Sequence, residues 1–496
     1  MNKNALRKIF DGYDDVIFTD NIPEVNCFNI CTSPDKVKDN SLLFITEKAD
    51  GAIDTFDTSR LKSRPAAIVA SKAQALSSDT IPTIRVGNAR TALSYALSNF
   101  YGIDYDKVKI IGITGTNGKT TTATLIYKIL TASGYKAGFI GTGKIEINGV
   151  TVTDNKYSMT TPDPTELYPA ISDMISKGCQ YVVMEVSSHS IALGKIAPIK
   201  FSYAIFTNLD NDHLDFHKTK DEYFETKLKL FNSAKQGLFN LDDEYSSMAY
   251  RRVKCNRSSF GIINQGDAYA TEIDIGGLCN SSFYYREKGL IFRAKTRLCG
   301  AFNVYNSLCA LKCVIDLGIK PCIAKKALET IEKIDGRMEI INDDITVIID
   351  YAHTPSAFYN SLKTLKQSIK NGQNMIAVFG CGGDRDKTKR PLFGKYASSL
   401  ADKIIITEDN CRTESFDSIV FDIISGIKKA EYEVIRDREE AIRHAIRCAR
   451  CGDVVAIIGK GHEKYKIVGK EYLPFDERGI VEDELIKIKK SYANNS

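Results

Sequence analysis

Short apolar runs alternate with amphipathic stretches along most of the chain. Ser41–Ile45, Lys109–Ile113 and Thr346–Asp350 are apolar runs of the length that predicts buried strands. The stretches Ala89–Tyr101 and Lys119–Ser133 repeat apolar residues at the helical period. Strands that alternate with helices in this way are typical of α/β domains with parallel sheets.

The same pattern extends through the rest of the chain. It predicts further strands at Ala66–Ala70, Tyr181–Val186, Phe201–Thr207, Met375–Gly380, Lys403–Thr407 and Asp453–Ile458. It also predicts helices at Val304–Leu317 and Asp437–Ala449, the second of which opens with the capping sequence Asp-Arg-Glu-Glu. Short strand-like pieces between Ala268 and Ala301 predict a small antiparallel sheet.

We therefore predict an α/β fold with three domains. Residues 1–105 form a small α/β N-terminal domain. Residues 106–334 form a central P-loop domain with a parallel sheet, and residues 335–496 a doubly wound, Rossmann-like C-terminal domain. The length of 496 residues agrees with this division, since domains usually have about 100–200 residues.

The composition is that of an ordinary globular protein, with 43% hydrophobic and 26% charged residues. No apolar run reaches about 18 residues and the N-terminus has no apolar core, so we expect no membrane segment, no signal peptide and a cytoplasmic location. A net charge of +5 on dispersed basic residues argues against a nucleic-acid partner and allows acidic small molecules.

Cysteines offer one motif. Of the 13 cysteines only Cys448 and Cys451 form a C-x-x-C pair, with no second pair or histidines at the spacing of a zinc site. A redox role is open for such a pair, but two reduced thiols at the end of a helix are the simpler interpretation.

The stretch Gly112–Thr120, GITGTNGKT, joins a predicted strand to a predicted helix through a Gly-rich turn. Backbone N–H groups in such a turn bind phosphate oxygens, and the helix N-terminus favours the anion. Lys119 would reach the terminal phosphates and the Thr120 hydroxyl would hold Mg²⁺. Five residues, 113–117, separate Gly112 from Gly118-Lys119, whereas the standard P-loop has four, so this is a P-loop variant. The predicted nucleotide contacts here are Gly115, Thr116, Asn117, Gly118, Lys119, Thr120 and Thr121.

Polar clusters follow three other predicted strands. Met184–His189 and Phe206–Asp215 end successive strands of the central region, and Glu185 is placed to hold a metal ion on the phosphates. The stretch Thr407–Ser415, TEDNCRTES, ends a strand of the third region. Ligands bind at the carboxyl ends of strands in such sheets, so all three clusters are candidate binding residues.

Together these motifs resemble the Mur ligases, and most closely those that add the third peptide residue in peptidoglycan synthesis. The resemblance runs in order from about residue 105 to the end of the chain. It rests on Gly112–Thr122, Thr160–Pro162, Met184–His189, Phe206–His217, Tyr223–Phe231, Gly300–Asn306, Gly336–Glu339, Asp350–Pro355, Phe379–Pro391, Asp409–Arg412 and Gly459–Glu463.

The resemblance implies an ATP- and Mg²⁺-dependent ligase that phosphorylates a carboxylate and then joins it to an amine. The substrates implied are UDP-N-acetylmuramoyl-L-alanyl-D-glutamate and meso-diaminopimelate. By the family pattern, Lys119 is catalytic, and Thr120, Glu185 and His213 hold magnesium ions. Lys227 matches a lysine that is carboxylated on its amine and binds a second Mg²⁺.

The resemblance also assigns binding residues. For the nucleotide it adds Asn303, Arg337 and Asp350, with Tyr351 and His353 nearby. For the UDP-sugar peptide, whose uridine end the N-terminal domain would hold, it implies Thr160, Thr161, Ser187 and Lys195. For the amino acid it implies Arg385, Asp409, Asn410, Arg412, Gly459 and Glu463, and Arg412 favours diaminopimelate over lysine. We expect a monomer that binds small molecules only.

Several positions depart from the family pattern. Cys411 stands in place of a proline, Ser33-Pro34-Asp35 replaces the Asp-Ser-Arg of the first domain, and Lys195 replaces an arginine. Two alternatives therefore stay open. One is a related ligase that uses another carboxylate or another amino acid, and the other is a nucleotide-binding scaffold without catalysis.

Overall fold

The computed structural model describes residues 3–18, 29–47, 55–77, 80–154, 160–342, 344–370 and 372–495. Within these residues the strands form sheets of five, eleven and six strands and one two-stranded hairpin. This confirms the predicted α/β class. None of the helices described there has the length and hydropathy needed to cross a bilayer.

The five-stranded sheet belongs to the first hundred residues. Its elements are α1 (Lys3–Ile9), β1 (Val16–Phe18), β2 (Asn29–Cys31), β3 (Ser41–Ile45), β4 (Ala67–Ser71), β5 (Thr83–Val86) and α2 (Ala89–Phe100). The strand order is β1-β5-β4-β3-β2, and only β1 pairs antiparallel. Asn88 caps α2 by accepting from the Thr91 N–H at 2.8 Å.

The eleven-stranded sheet is built by the central part of the chain, in the order β16-β15-β14-β13-β12-β11-β6-β10-β7-β8-β9. Its strands are β6 (Lys109–Thr114), β7 (Ala137–Gly141), β8 (Lys144–Ile147), β9 (Val150–Asp154), β10 (Tyr181–Glu185), β11 (Phe201–Phe206), β12 (Ala234–Asn240), β13 (Asn256–Gly261), β14 (Ala268–Asp274), β15 (Ser281–Glu287) and β16 (Leu290–Thr296). Its helices are α3 (Lys119–Ala132), α4 (Pro164–Ser176), α5 (Ser188–Ala192), α6 (Leu214–His217), α7 (Lys220–Leu228), α8 (Glu244–Arg252), α9 (Ala301–Asp316) and α10 (Pro321–Glu329).

The six-stranded sheet has the order β17-β18-β22-β19-β20-β21, with only β17 antiparallel. Its strands are β17 (Glu339–Asn342), β18 (Thr346–Asp350), β19 (Met375–Phe379), β20 (Lys403–Ile406), β21 (Tyr432–Val434) and β22 (Val454–Ile458), followed by the hairpin β23 (Tyr465–Val468) and β24 (Glu471–Pro474). The helices around it are α11 (Pro355–Ser368), α12 (Arg390–Leu400), α13 (Phe416–Ile424), α14 (Arg438–Cys448) and α15 (Glu477–Asn495).

Most predicted elements agree with the structure to within one to three residues at each end. The capping prediction for α14 is confirmed, since the Asp437 carboxylate accepts from the Glu440 N–H at 2.9 Å. The prediction of a small antiparallel sheet at Ala268–Ala301 is confirmed in its antiparallel pairing, but these strands do not form a sheet of their own. The three strands are antiparallel to one another, but β14 also pairs with β13, so they extend the central sheet. Their buried side chains pack with α9 in the core of that sheet. The domain boundaries at 105/106 and 334/335 stay predictions.

Candidate active site

The turn between β6 and α3 needs its glycines. Gly115 has φ +148° and Gly118 has φ +83°, values that favour glycine. A Cβ on Gly115 would collide with the Thr207 hydroxyl, and one on Gly118 would lie 2.6 Å from Asn306 Oδ1. The turn therefore curves tightly into the N-terminus of α3, which is the backbone geometry of a phosphate loop.

Lys119 and Thr120 begin α3 at the carboxyl edge of the sheet. Lys119 Nζ donates to the carbonyl oxygens of Gly115 and Thr116 at 3.0 and 2.9 Å. Thr120 Oγ1 donates to Glu185 Oε2 at 2.8 Å, and Arg337 Nη2 donates to Thr120 Oγ1 at 2.9 Å. Glu185 is fully buried at the end of β10. Because β6 and β10 are parallel neighbours, their carboxyl ends meet at one edge of the sheet, which places Glu185 beside the turn after β6.

A cavity of about 470 Å³ opens beside this turn. Asn303, Arg337 and Asp350 line it together with the turn residues Thr116–Thr121 and with Thr160. Asp350 is held by the Ser361 hydroxyl at 2.5 Å and the Met338 N–H at 3.2 Å, and burial raises the pKa of its carboxyl. The predicted nucleotide residues from the central and C-terminal regions thus meet around one cavity.

Lys227 is a buried lysine of α7, with only 1% of its surface exposed. Its Nζ donates to the Gly115 carbonyl at 2.9 Å and lies 4.4 Å from the centroid of the Tyr223 ring. Burial, together with the nearby Lys119 cation, lowers the pKa of Lys227 well below its usual value. The neutral amine is therefore favoured at this position.

A second cavity, of about 170 Å³, adjoins the first. All six predicted amino-acid residues line it: Arg385, Asp409, Asn410, Arg412, Gly459 and Glu463. Asp212, His213, Tyr351 and His353 line both cavities, so the two spaces meet at these side chains. The structure therefore brings the residues predicted to bind the nucleotide and those predicted to bind the amino acid into one continuous site.

Asp212 is the junction residue that sequence analysis did not single out. Its carboxylate lies 3.4 Å from His213 Nε2, 3.8 Å from His353 Nε2 and 3.9 Å from Lys389 Nζ. Desolvation lowers the pKa of His213 to about 3, which keeps its ring neutral and able to ligate a metal. The acidic run Asp210–Asp215 was the available signal, but it did not distinguish which carboxylate faces the site.

The second cavity holds carboxylates and cations side by side. Gly459 has φ +126°, and a Cβ there would lie 2.8 Å from Asp409 Oδ2, so glycine lets this carboxylate approach the backbone. Burial opposes ionisation of Asp409, yet Lys460 and Arg438 hold the pKa of its carboxyl below the usual value. Lys460, which sequence analysis also missed, is fully buried behind the cavity wall.

The two arginines of this cavity already have protein partners. Arg412 has φ +54°, and its Nη1 donates to the Gly383 and Asn410 carbonyls at 2.8 and 3.3 Å. Arg385 Nη1 lies 3.4 Å from Asp215 Oδ2. Cys411 is half-buried, and burial raises the pKa of its thiol. Its backbone is packed tightly, because a Cβ on Gly383 would collide with the Cys411 carbonyl.

Comparison with known proteins identifies the family of this chain. The UDP-N-acetylmuramoyl-L-alanyl-D-glutamate–2,6-diaminopimelate ligase of Clostridium botulinum is 40% identical over 410 residues, which cover 82% of this chain and 83% of that protein. The Mur ligase middle domain model matches residues 113–314, and the Mur ligase glutamate ligase domain model matches residues 336–461. The chain belongs to the Mur ligase family.

Other Mur ligases are similar over nearly the whole chain. The ligase of the same name from Caldanaerobacter subterraneus subsp. tengcongensis is 38% identical, covering 94% of this chain and 96% of that protein. A solved structure of a UDP-N-acetylmuramoyl-L-alanyl-D-glutamate–2,6-diaminopimelate ligase superimposes with a TM-score of 0.63 at 28% identity, covering 93% and 95% of the two chains. This Mur ligase is thus an enzyme that forms amide bonds with ATP.

Mur ligases depend on Mg²⁺ as well as ATP, and the residues here fit that ion. Among the described residues no three His, Cys, Asp or Glu side chains form a metal cluster. The Thr120 hydroxyl and the Glu185 carboxylate nevertheless supply two hard oxygens beside the phosphate loop. Mg²⁺ commonly uses one or two protein oxygens and completes its shell with substrate phosphates and water.

Of the residues predicted for the UDP-sugar peptide, Thr160 lines the first cavity, whereas Thr161, Ser187 and Lys195 do not. Thr161 Oγ1 donates to the Glu185 carbonyl at 2.9 Å and accepts from the Ser187 N–H at 3.0 Å. Lys195, only 3% exposed, pairs with Asp163 at 2.5 Å. The departing stretch Ser33–Asp35 enters a 3-10 turn at Pro34–Lys36, where Asp35 is exposed and lies 3.4 Å from Lys62.

Proposed function

We propose that this Mur ligase joins meso-diaminopimelate to UDP-N-acetylmuramoyl-L-alanyl-D-glutamate, with ATP as the energy source, in peptidoglycan synthesis. The observation that carries the proposal is the meeting of two cavities at Asp212, His213 and His353. One cavity has a phosphate loop, and the other has the charged groups that a zwitterionic amino acid needs. The names of the 38–40% identical relatives support this choice of substrates.

The first cavity would carry the phosphoryl transfer. The substrate carboxylate attacks the γ-phosphorus of ATP, which gives an acyl phosphate and ADP. Lys119 and the turn at Gly115–Gly118 would bind the phosphates, and Asn303 and Asp350 the nucleoside. Thr120, Glu185 and His213 would hold Mg²⁺, which neutralises phosphate charge when bound. The arrangement at Thr120 lets Arg337 add a second positive charge from the C-terminal region.

Carboxylation of Lys227 belongs to this proposal. A carbamate forms when a neutral amine attacks CO₂ and loses a proton, so a lysine with a lowered pKa is the suitable precursor. Lys227 meets this condition because it is buried next to Lys119. The carbamate would replace this neutral amine with an anion that can bind a second Mg²⁺ beside the phosphate loop.

The second cavity would orient the incoming amino acid. Asp409 and Glu463 would accept from the distal ammonium of diaminopimelate, while Arg385, Arg412 and Asn410 would donate to its distal carboxylate. The other amine would then point toward the junction of the cavities. There it attacks the acyl phosphate carbon, the amide forms, and phosphate leaves.

The remaining assignments follow the same arrangement. We propose that residues 1–105 hold the uridine end of the sugar nucleotide, that residues 106–334 bind ATP and that residues 335–496 bind the amino acid. Thr160, Thr161, Ser187 and Lys195 would contact the sugar peptide between them. The enzyme would act on small molecules in the cytoplasm, where ATP and UDP-sugars are available, and we expect it to be a monomer.

Phosphate release tests the proposal. The enzyme is mixed with ATP, Mg²⁺ and UDP-N-acetylmuramoyl-L-alanyl-D-glutamate, and either meso-diaminopimelate or L-lysine is added. We expect phosphate and a new amide with diaminopimelate, and neither product from Lys119→Ala. Release with lysine but not diaminopimelate would contradict the role of Arg412. If no phosphate is released with either amine, two alternatives stay open: a ligase for another carboxylate, and a nucleotide-binding scaffold.

A further inference from the structure

Lys460 lies directly behind the amino-acid cavity and has no exposed surface. Its Nζ donates to Asn410 Oδ1 at 2.9 Å and to Glu463 Oε2 at 3.0 Å, and it lies 3.6 Å from Asp409 Oδ1. It therefore contacts three of the side chains proposed to bind the amino acid, although it does not itself line the cavity. A buried ammonium with these partners must influence what the cavity accepts.

One effect concerns the orientation of the Asn410 amide. Asn410 Oδ1 accepts from Lys460 Nζ and also from the Ile467 N–H at 2.9 Å, so both of its lone pairs are used. Asn410 Nδ2 donates one proton to Glu463 Oε2 at 2.9 Å. The amide therefore has only its second N–H left for a ligand. Lys460 thus makes Asn410 a hydrogen-bond donor, which suits a carboxylate and not an ammonium.

A second effect concerns charge. At this end of the cavity the carboxylates of Asp409 and Glu463 face the cations of Lys460 and Arg412. The other nearby cations have carboxylate partners of their own, since Arg438 is paired with Glu477, Arg385 with Asp215, and Lys389 lies 3.9 Å from Asp212. The two carboxylates are balanced by two cations before a ligand arrives. An amino acid whose distal end carries both an ammonium and a carboxylate keeps this balance. One that carries only an ammonium adds an unbalanced positive charge in a poorly solvated space.

We propose that Lys460 is a positioning and specificity-determining residue, which makes the cavity select an amino acid with a distal carboxylate over one with a bare distal ammonium. This inference rests on the proposed function and adds a cause for its choice of amine. L-Lysine is the natural probe, because it differs from diaminopimelate by the absence of the distal carboxylate. Discrimination of this kind arises from a penalty on the wrong ligand as much as from contacts to the right one.

The test compares Lys460→Met and Lys460→Gln with the wild type and with Lys464→Met. Lys464 is an exposed lysine of the same segment, so its variant removes an equal charge away from the cavity. For each protein, kcat/KM is measured for meso-diaminopimelate and for L-lysine at saturating ATP, together with the KM for ATP. Thermal stabilisation by each amino acid is recorded in parallel, since it reports binding without turnover.

We expect both Lys460 variants to lower the ratio of kcat/KM for meso-diaminopimelate to kcat/KM for L-lysine by about tenfold to a hundredfold. One charge at hydrogen-bond range has an effect of this size. Lys460→Gln should lose less activity with diaminopimelate than Lys460→Met, since its amide can still donate to Asn410. The KM for ATP and all values for Lys464→Met should stay near wild type. A general loss of stability would lower kcat/KM equally for both amino acids and would leave their ratio unchanged.

A ratio within twofold of wild type in a folded Lys460→Gln protein would overturn the inference. Should wild type release no phosphate with either amine, the proposed function fails. The ratio of the two thermal stabilisations then still decides the role of Lys460, because it needs only binding to the cavity.

Discussion

The surroundings of a single side chain decide the chemistry available at Lys227. In the sequence it is one lysine on a polar helix, whereas in the fold it is enclosed by the Gly115 carbonyl, the Thr114 hydroxyl and the Tyr223 ring. No carboxylate forms an ion pair with it in the described residues, and Lys119 lies close enough to disfavour a second positive charge. The proposed carbamate would instead place a negative charge beside Lys119.

Replacement of Lys227 by alanine should therefore lower kcat by about a hundredfold or more, the effect of losing a group that orders charge at the transition state. Lys229→Ala, which removes an exposed lysine two residues away, should keep nearly full activity. Intact-protein mass spectrometry of gently handled enzyme should show the added mass of one CO₂ on the wild type only. Full activity of Lys227→Ala would exclude the carbamate role.

At the scale of elements, α12 and α13 are joined by a buried arginine. Arg390, with no exposed surface, donates to both oxygens of Glu414 at 2.8 and 2.7 Å and to Asp422 of α13 at 2.9 Å. Glu414 also accepts from the Asp384 N–H at 3.0 Å. This network connects the turn after β19 to the loop after β20, which carry Arg385 and Arg412 of the second cavity.

The pairing with Arg390 holds the pKa of Glu414 below its ordinary value of 4.5. The folded state thus favours the ionised carboxylate, so its stabilisation is present above pH 4.5 and is lost as pH falls toward the folded pKa. Glu414→Gln should lower the free energy of unfolding by about 2 kcal/mol at pH 7. The difference in the free energy of unfolding between this variant and the wild type, measured by urea unfolding, should narrow below pH 4.5. The exposed Glu431→Gln should show no such gap, and a gap that is constant with pH would contradict the ionic explanation.

At the scale of the whole molecule, side chains of the C-terminal region close the first cavity, which we propose binds ATP. Arg337 reaches Thr120 of α3 at 2.9 Å, and the Thr354 hydroxyl reaches Asn117 Oδ1 at 3.3 Å. Ser356, also near the N-terminus of α11, donates to Asp210. A nucleotide bound at the phosphate loop would therefore touch two parts of the chain that are more than two hundred residues apart, and its binding should stabilise their association.

Arg337→Ala should weaken this coupling. A nucleotide at about a hundred times its Kd stabilises a folded protein by about 2.7 kcal/mol. At the same concentration of Mg²⁺ and a non-hydrolysable ATP analogue, the variant should gain about 1 kcal/mol less, since a lost charge-assisted contact raises Kd. Differential scanning calorimetry measures both gains. Arg297→Ala, which removes an exposed arginine paired with Glu332, should match wild type, and an equal gain in Arg337→Ala would contradict the contact.

The sequence by itself determined the strands, the helices, the phosphate loop at Gly112–Thr120 and the polar clusters at the ends of β10, β11 and β20. These features are local: each depends on residues within one turn, one helix or one strand, and their periodicity or spacing is visible in the chain. The tertiary structure alone decided that β14 joins the central sheet, that Asp212 lies at the junction of two cavities, and that Lys227 and Lys460 are buried. Those properties come from groups far apart in the chain, because burial and charge balance depend on which segments the sheets bring together.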